Sequence, residues 1–141
     1  MTDRVFVDTN IWVYTVDGRD PAKRAKALAA VSPTAGREVI VSTQVLTEFY
    51  SVVTNKLALP LAADVARALV QEMSRLATVS IDGVLVADAL VGCRDWGVSV
   101  WDALIIRAAE SAGCPVVLSE DLAHGRRYGS VTVVNPLLDS A

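Results

Sequence analysis

The sequence predicts an α/β protein, a three-layer α/β/α sandwich around a mainly parallel sheet of about five strands. Two observations carry that expectation. Residues 5–8, 39–42, 116–119 and 131–134 are short runs, almost continuously apolar and rich in β-branched residues. A strand without polar alternation is one covered on both faces. Between these runs lie longer Ala- and Leu-rich stretches with helical spacing, clearest at Leu61, Val65, Leu69, Met73 and Leu76. Strands that alternate with helices build a parallel sheet with helices on either side.

Taken in order, the first run, Val5-Phe-Val, stops on Asp8-Thr9-Asn10 and gives way to a helical stretch. Gly18-Arg19-Asp20-Pro21 reads as a loop opening a helix, with Asp20 as its cap and Pro21 in the first turn. The second strand leads into a helix beginning Thr43-Gln-Val-Leu-Thr-Glu48. Residues 78–81 make a weaker fifth strand. Gly97 and Gly113 read as helix ends, flanking a helix that opens at Ser99. No repeat, low-complexity tract or linker interrupts the 141 residues, so one domain over 1–141 is expected.

The chain is 52% hydrophobic, with a mean hydropathy of +0.41. Such a chain can fill a core and leave apolar surface for a partner or a second copy of itself. No apolar run has the length of a membrane span. Met1-Thr2-Asp3-Arg4 lacks a signal-peptide pattern, and Cys93 and Cys114 have no metal-like spacing, so a reduced, cytoplasmic protein is expected. Both cysteines read as buried small hydrophobes. A net charge of −3 argues against gripping nucleic acid by bulk positive charge, though not against local basic contacts aided by metal ions.

The acids carry the functional question. Asp8 ends a buried run, either as a helix cap or as a group aimed into a site at the end of a strand. Glu48 lies within or beside the stripe Val45, Phe49, Val52 and Val53; it snorkels to solvent or faces something that compensates its charge. Asp102 closes Ser99-Val-Trp-Asp102, a capping-box pattern, yet shares a helical register with Ile105, Ile106 and Ala109. Val116-Val-Leu-Ser119-Glu120-Asp121 ends a second buried run in a hydroxyl and two acids, which also suits a turn. In a parallel sheet these strand ends share one edge, and four carboxylates can converge there. Two carboxylates ~4 Å apart repel by roughly 4 kcal/mol at an effective dielectric near 20. Such a group takes up protons or holds a cation, and an all-oxygen set selects Mg²⁺ or Mn²⁺. That arrangement suits hydrolysis of a phosphodiester by metal-activated water.

Asp8-Thr9-Asn10-Ile11, Glu48, Trp101-Asp102-Ala103-Leu104 and Leu118-Ser119-Glu120-Asp121-Leu122, in this order and spacing, resemble the PIN-domain ribonucleases, and among them the VapC-type toxins of bacterial toxin–antitoxin pairs. The likeness extends over the whole chain, through Gly125 to Val133-Val134-Asn135-Pro136, and departs at Leu137, where many relatives carry an aromatic. It implies a PIN-like fold and a divalent-metal-dependent endoribonuclease. Asp8 and Asp102 would be the principal ligands of Mg²⁺ or Mn²⁺, and Glu48 and Asp121 would complete the ring directly or through water. Asn10 and Ser119 match positions that orient these groups or the attacking water. The motif favours Asp121 over its neighbour Glu120. The resemblance also implies an RNA substrate, a cognate antitoxin that occupies the cleft, and a homodimer. Two rival readings are a non-catalytic PIN-like RNA- or protein-binding module and another Mg²⁺-dependent phosphoryl-transfer enzyme of receiver type; no obvious partner Lys follows the late strands to support the latter.

Several residues are read more plainly. His124, the sole histidine, lies in a loop where it can at most contact substrate, Asp88 and Asp95 are solvated helix charges, and Trp101 at a helix start reads as packing ahead of base stacking. Arg19, Lys23, Arg24, Lys26, Lys56, Arg107, Arg126 and Arg127 are candidates for positioning phosphates.

Overall fold

The computed structural model describes residues 3–33 and 36–139, so Met1 and Thr2 of the N-terminal reading lie outside the described residues. The elements follow in the order β1 (Asp3–Val7), α1 (Thr9–Tyr14), α2 (Pro21–Ala30), β2 (Arg37–Ser42), α3 (Thr43–Asn55), α4 (Ala63–Met73), β3 (Ala77–Val79), α5 (Gly83–Trp96), α6 (Val100–Ser111), β4 (Val116–Leu118), β5 (Arg127–Tyr128) and β6 (Val131–Val134). The sheet runs β3-β2-β1-β4-β6-β5, with helices on both sides. Its first five strands are parallel, in register through pairs such as Val5↔Val39, Val5↔Val116 and Val117↔Val133.

The five expected strands are present, with shifted ends. Asp8 and Ser119 lie just beyond β1 and β4, because each begins the turn that leaves the sheet. A sixth strand, β5, extends the sheet of about five that the sequence predicts. Only two residues long, it pairs antiparallel with β6 across Gly129, whose φ of 59° lies in the left-handed region that glycine adopts freely. Two residues of strand leave no periodicity to read.

Both faces of the sheet are covered, as the unbroken apolar runs require. Phe6, Val7, Val41, Val117, Val131 and Val133 are fully buried. On one flank α1 packs on α2 and α3, and α3 on α4; on the other, α5 packs on α6, which lies against β2, β4 and β6. The α4 stripe needs one correction. Ala66 and Met73 turn inward while Val65 is exposed, and Leu61 and Leu76 fall outside the helix. Cys114 is buried as expected, whereas Cys93 is only half-buried, on the α5 turn beside Trp96. Asp20 accepts the Lys23 backbone N–H with Pro21 in the first turn, and Gly97 caps α5 in the left-handed conformation. Leu137, the departure from the family pattern, is buried.

The chain runs outward from β1 through β2 to β3, then crosses back to place β4 on the other side of β1. The strand order therefore reverses between β1 and β4, where the diverging connections open a crevice at the carboxyl ends. Asp8 and Ser119 stand at that point.

Candidate functional site

Asp8 caps α1 and also faces the crevice; the two readings of its sequence context describe one geometry. Its backbone leaves β1 extended (φ −70°, ψ 157°), and its carboxylate accepts the Thr9 backbone N–H on Oδ1 at 2.7 Å. On Oδ2 it accepts the Ser119 hydroxyl at 2.9 Å and the Asn10 amide at 3.2 Å. Only 6% of Asp8 is exposed. Burial pushes its carboxyl up from 3.8 to about 6, against the opposing pull of the Ser119 and Thr9 hydrogen bonds, and the charges of Asp121 and Glu48 add to the rise.

Asn10 and Ser119 tie the two strand ends together. Asn10 Nδ2 also donates to Asp121 Oδ2 at 3.1 Å, while its Oδ1 accepts the Glu120 backbone N–H at 2.9 Å. With both ends of the amide engaged, its orientation is fixed. Ser119, fully buried, donates to Asp8 and accepts the backbone N–H groups of Asp121 and Leu122 at 3.2 and 3.3 Å. The turn that follows β4 is thereby closed onto the end of β1.

Glu48, half-buried on α3, reaches the same crevice. Thr9 Oγ1 donates to its Oε2 at 3.1 Å, and Gln44 Nε2 donates to its Oε1 at 2.7 Å. Asp102 sits in the first turn of α6, its backbone N–H capped by Ser99 Oγ at 3.2 Å. Burial raises its carboxyl above the ordinary carboxylate range, with Asp121 and Glu48 again adding and the Ser99 hydrogen bond opposing. Cap and site coincide here too, because the helix start that Ser99 defines is what carries Asp102 to the cleft.

The cleft brings together Asp8, Asn10, Glu48, Asp102 and Asp121, with Ser119 buried behind them. Among the described residues none of the four acids Asp8, Glu48, Asp102 and Asp121 forms an ion pair. Glu120 also borders the cleft but differs. It accepts the Tyr14 hydroxyl at 2.6 Å and the Lys23 ammonium at 2.9 Å. The two adjacent acids therefore differ in their partners: Glu120 is neutralised by Lys23 of α2, whereas the Asp121 side chain accepts from the neutral Asn10 amide.

All-oxygen donors without ion-pair partners fit a hard divalent cation, and the Asp8 carboxyl, raised chiefly by burial and further by the charges of Asp121 and Glu48, is a group that such an ion would compensate. Among the described residues no three His, Cys, Asp or Glu side chains stand close enough to hold an ion by themselves. Mg²⁺ keeps several waters when bound, which fits acids set apart in this way.

Trp101 corrects the packing reading: 63% of it is exposed, at the mouth of the cleft. Of the candidate phosphate contacts, Arg19 and Lys56 border the cleft, Arg19 paired there with Asp17. Lys23 and Lys26 are engaged with Glu120 and Asp139, and Arg107 with Glu110. His124 Nδ1 accepts the Asn135 backbone N–H at 3.0 Å and lies outside the cleft. Asp88 and Asp95 are exposed. Gln44 and Tyr14, which also line the cleft, were not legible in the sequence; the i,i+4 spacing of Gln44 and Glu48 is the one signal that pointed to either.

A comparison with the curated proteins gives no match. Among solved structures, VapC20 of Mycobacterium tuberculosis, a Sarcin-Ricin loop cleaving toxin, superposes with a TM-score of 0.62 at 22% identity, over 83% of this chain and 91% of that one. A toxin–antitoxin complex from Klebsiella pneumoniae gives 0.70 at 14% identity, over 94% and 97%. DNA-bound VapBC from Salmonella typhimurium gives 0.63 at 21% identity, over 94% and 97%. At these identities the likeness is one of fold. The PIN domain family model matches residues 5–129, a span that includes all four acids of the cleft, and the chain belongs to the PIN domain family.

Proposed function

We propose that this chain is a divalent-metal-dependent endoribonuclease acting in the cytoplasm as the toxin of a toxin–antitoxin pair, the whole chain serving as one catalytic domain. The observation that carries the reading is the contrast in the cleft: four acids without an ion pair stand beside two, Asp17 and Glu120, that have one. Asp8 and Asp102 would hold Mg²⁺ or Mn²⁺, with Glu48 and Asp121 completing the set directly or through water. A bound ion supplies activation of water and stabilisation of negative charge at the phosphodiester.

The chain's own residues set the stage for that chemistry. Asn10 and Ser119 hold Asp8 and Asp121 on one rigid frame. Thr9 and Gln44 hold Glu48. Lys56 at the rim offsets part of the repulsion between an acidic cleft and a polyanionic RNA, while Arg19 beside it is paired with Asp17.

The toxin assignment draws on the fold shared with VapC20 and VapBC. An antitoxin and a second copy of the chain are the partners proposed for its exposed apolar surface, which includes Val84, Leu90 and Val91 on α5. No helix of the described residues is long and apolar enough to cross a membrane. A second reading, a non-catalytic PIN-like binding module, draws on the wide setting of the acids.

Cleavage of mixed cellular RNA by the purified protein with Mg²⁺ or Mn²⁺ separates the two. The nuclease reading expects cleavage that EDTA and Asp8→Asn both abolish. Folded protein that cuts no RNA with either metal contradicts it.

A further inference from the structure

Gln44 holds the one polar side-chain atom among the described residues that is buried without a hydrogen-bond partner, its Oε1. The other end of the same amide is doubly engaged. Nε2 donates to Glu48 Oε1 at 2.7 Å and to the Trp101 carbonyl at 3.2 Å. Turning the amide over would set its carbonyl oxygen against two acceptors, so the orphaned Oε1 is the consequence of keeping both donor contacts. A buried acceptor without a donor is costly, and a side chain chosen for stability alone would avoid it.

What the arrangement secures is the relation between two acids on different helices. Gln44 and Glu48 are neighbours on one face of α3. The carbonyl that Gln44 also grips belongs to Trp101, the residue before Asp102 in the first turn of α6. Thr9 holds the opposite oxygen of Glu48, so that carboxylate is fixed from both sides.

We propose that Gln44 is a positioning residue for the divalent-cation site, orienting Glu48 and tying α3 to the start of α6 so that Glu48 and Asp102 keep their setting across the cleft. The inference rests on the metal reading above. Partners of metal ligands of this kind contribute about ten- to a hundred-fold in metal affinity.

Calorimetric titration with Mn²⁺ alone, paired with melting temperatures, tests it on wild type, Asp8→Asn, Gln44→Met, Gln44→Asn and the exposed α4 control Gln71→Met. Gln44→Met keeps the length and apolar stem but removes the donor and the orphaned acceptor together. Its melting temperature is expected at or above wild type, with Mn²⁺ affinity about ten-fold or more weaker. Gln44→Asn, too short to reach Glu48, should lose affinity likewise, and Gln71→Met should bind as wild type does. Mn²⁺ binding by wild type that is lost in Asp8→Asn supports the metal reading by itself. Against that background, wild-type affinity in Gln44→Met overturns the positioning role. So does a loss of affinity that merely follows a lowered melting temperature in both Gln44 variants. Wild-type protein that takes up no Mn²⁺ overturns both readings.

Discussion

Helix α6 carries charge at two places, and the two are treated in opposite ways. Along its later turns Arg107 donates to Glu110 at 2.8 Å and lies 4.4 Å over the Trp96 ring. Arg126 lies 4.4 Å over Tyr128 and donates to the Trp96 carbonyl, and the two rings meet edge to face at 5.9 Å. Arg107, Glu110 and Arg126 each meet an opposite charge or a π-face. At the first turn of the same helix, Asp102 meets the charges of Asp121 and Glu48 and forms no ion pair among the described residues. Across the cleft, Asp8 is held by three neutral donors. The corner uses charge to join α5, α6 and the β5–β6 hairpin; the cleft keeps charge unpaired. Only the second arrangement leaves an electrostatic demand unmet, the demand that a divalent cation would meet in the function proposed above.

The sharpest way to break this comparison is to remove one unpaired acid. Asp8→Asn should reduce RNA cleavage to background while leaving the protein folded. The same substitution should stabilise the metal-free protein. Because the folded-state carboxyl of Asp8 is raised from 3.8 to about 6, the folded protein binds that proton more tightly than the unfolded chain. Its contribution is therefore neutral below pH 3.8 and becomes destabilising as the pH rises to 6, levelling at about 3 kcal/mol. Urea unfolding of the metal-free protein at pH 4 and pH 7 should show Asp8→Asn gaining up to that amount at pH 7, less any loss from altered hydrogen bonds, and little at pH 4. An equal effect at both pH values would contradict the assignment of strain to an ionised Asp8.

Next in size is Asn10→Ala, which cuts the amide bridge between Asp8, Asp121 and the Glu120 backbone. Cleavage should fall by about ten- to a hundred-fold, measured at saturating metal. The smallest expected effect lies in the corner. Arg107→Ala should lower stability by about 1 kcal/mol through the lost ring and carboxylate contacts, with the cleavage rate per folded molecule unchanged.

Much of this was legible in the residues. Unbroken β-branched runs identified four strands because burial on both faces leaves no room for polar alternation, and residues 78–81 gave a weaker fifth. Asp8 and Asp121 stood out because each follows such a run. Less legible was anything decided by contacts between distant segments. Glu120 and Asp121 are adjacent acids in one turn, and only the approach of Lys23 from α2 separates their roles. Trp101 reads as a packing residue from its neighbours, yet α6 begins at the cleft mouth and leaves the ring in solvent. β5 escaped because its two residues are a strand only by virtue of β6. Gln44 escaped because its meaning depends on a carbonyl that lies 57 residues away.

The central claim is that the four acids await a divalent cation, and the melting temperature as a function of Mn²⁺ concentration at pH 7 tests it most directly. The account predicts that the wild-type melting temperature climbs steadily with Mn²⁺, as binding to the folded state alone requires. Asp8→Asn should start higher and stay flat. A wild-type melting temperature indifferent to Mn²⁺, or an equal rise in both proteins, would contradict it.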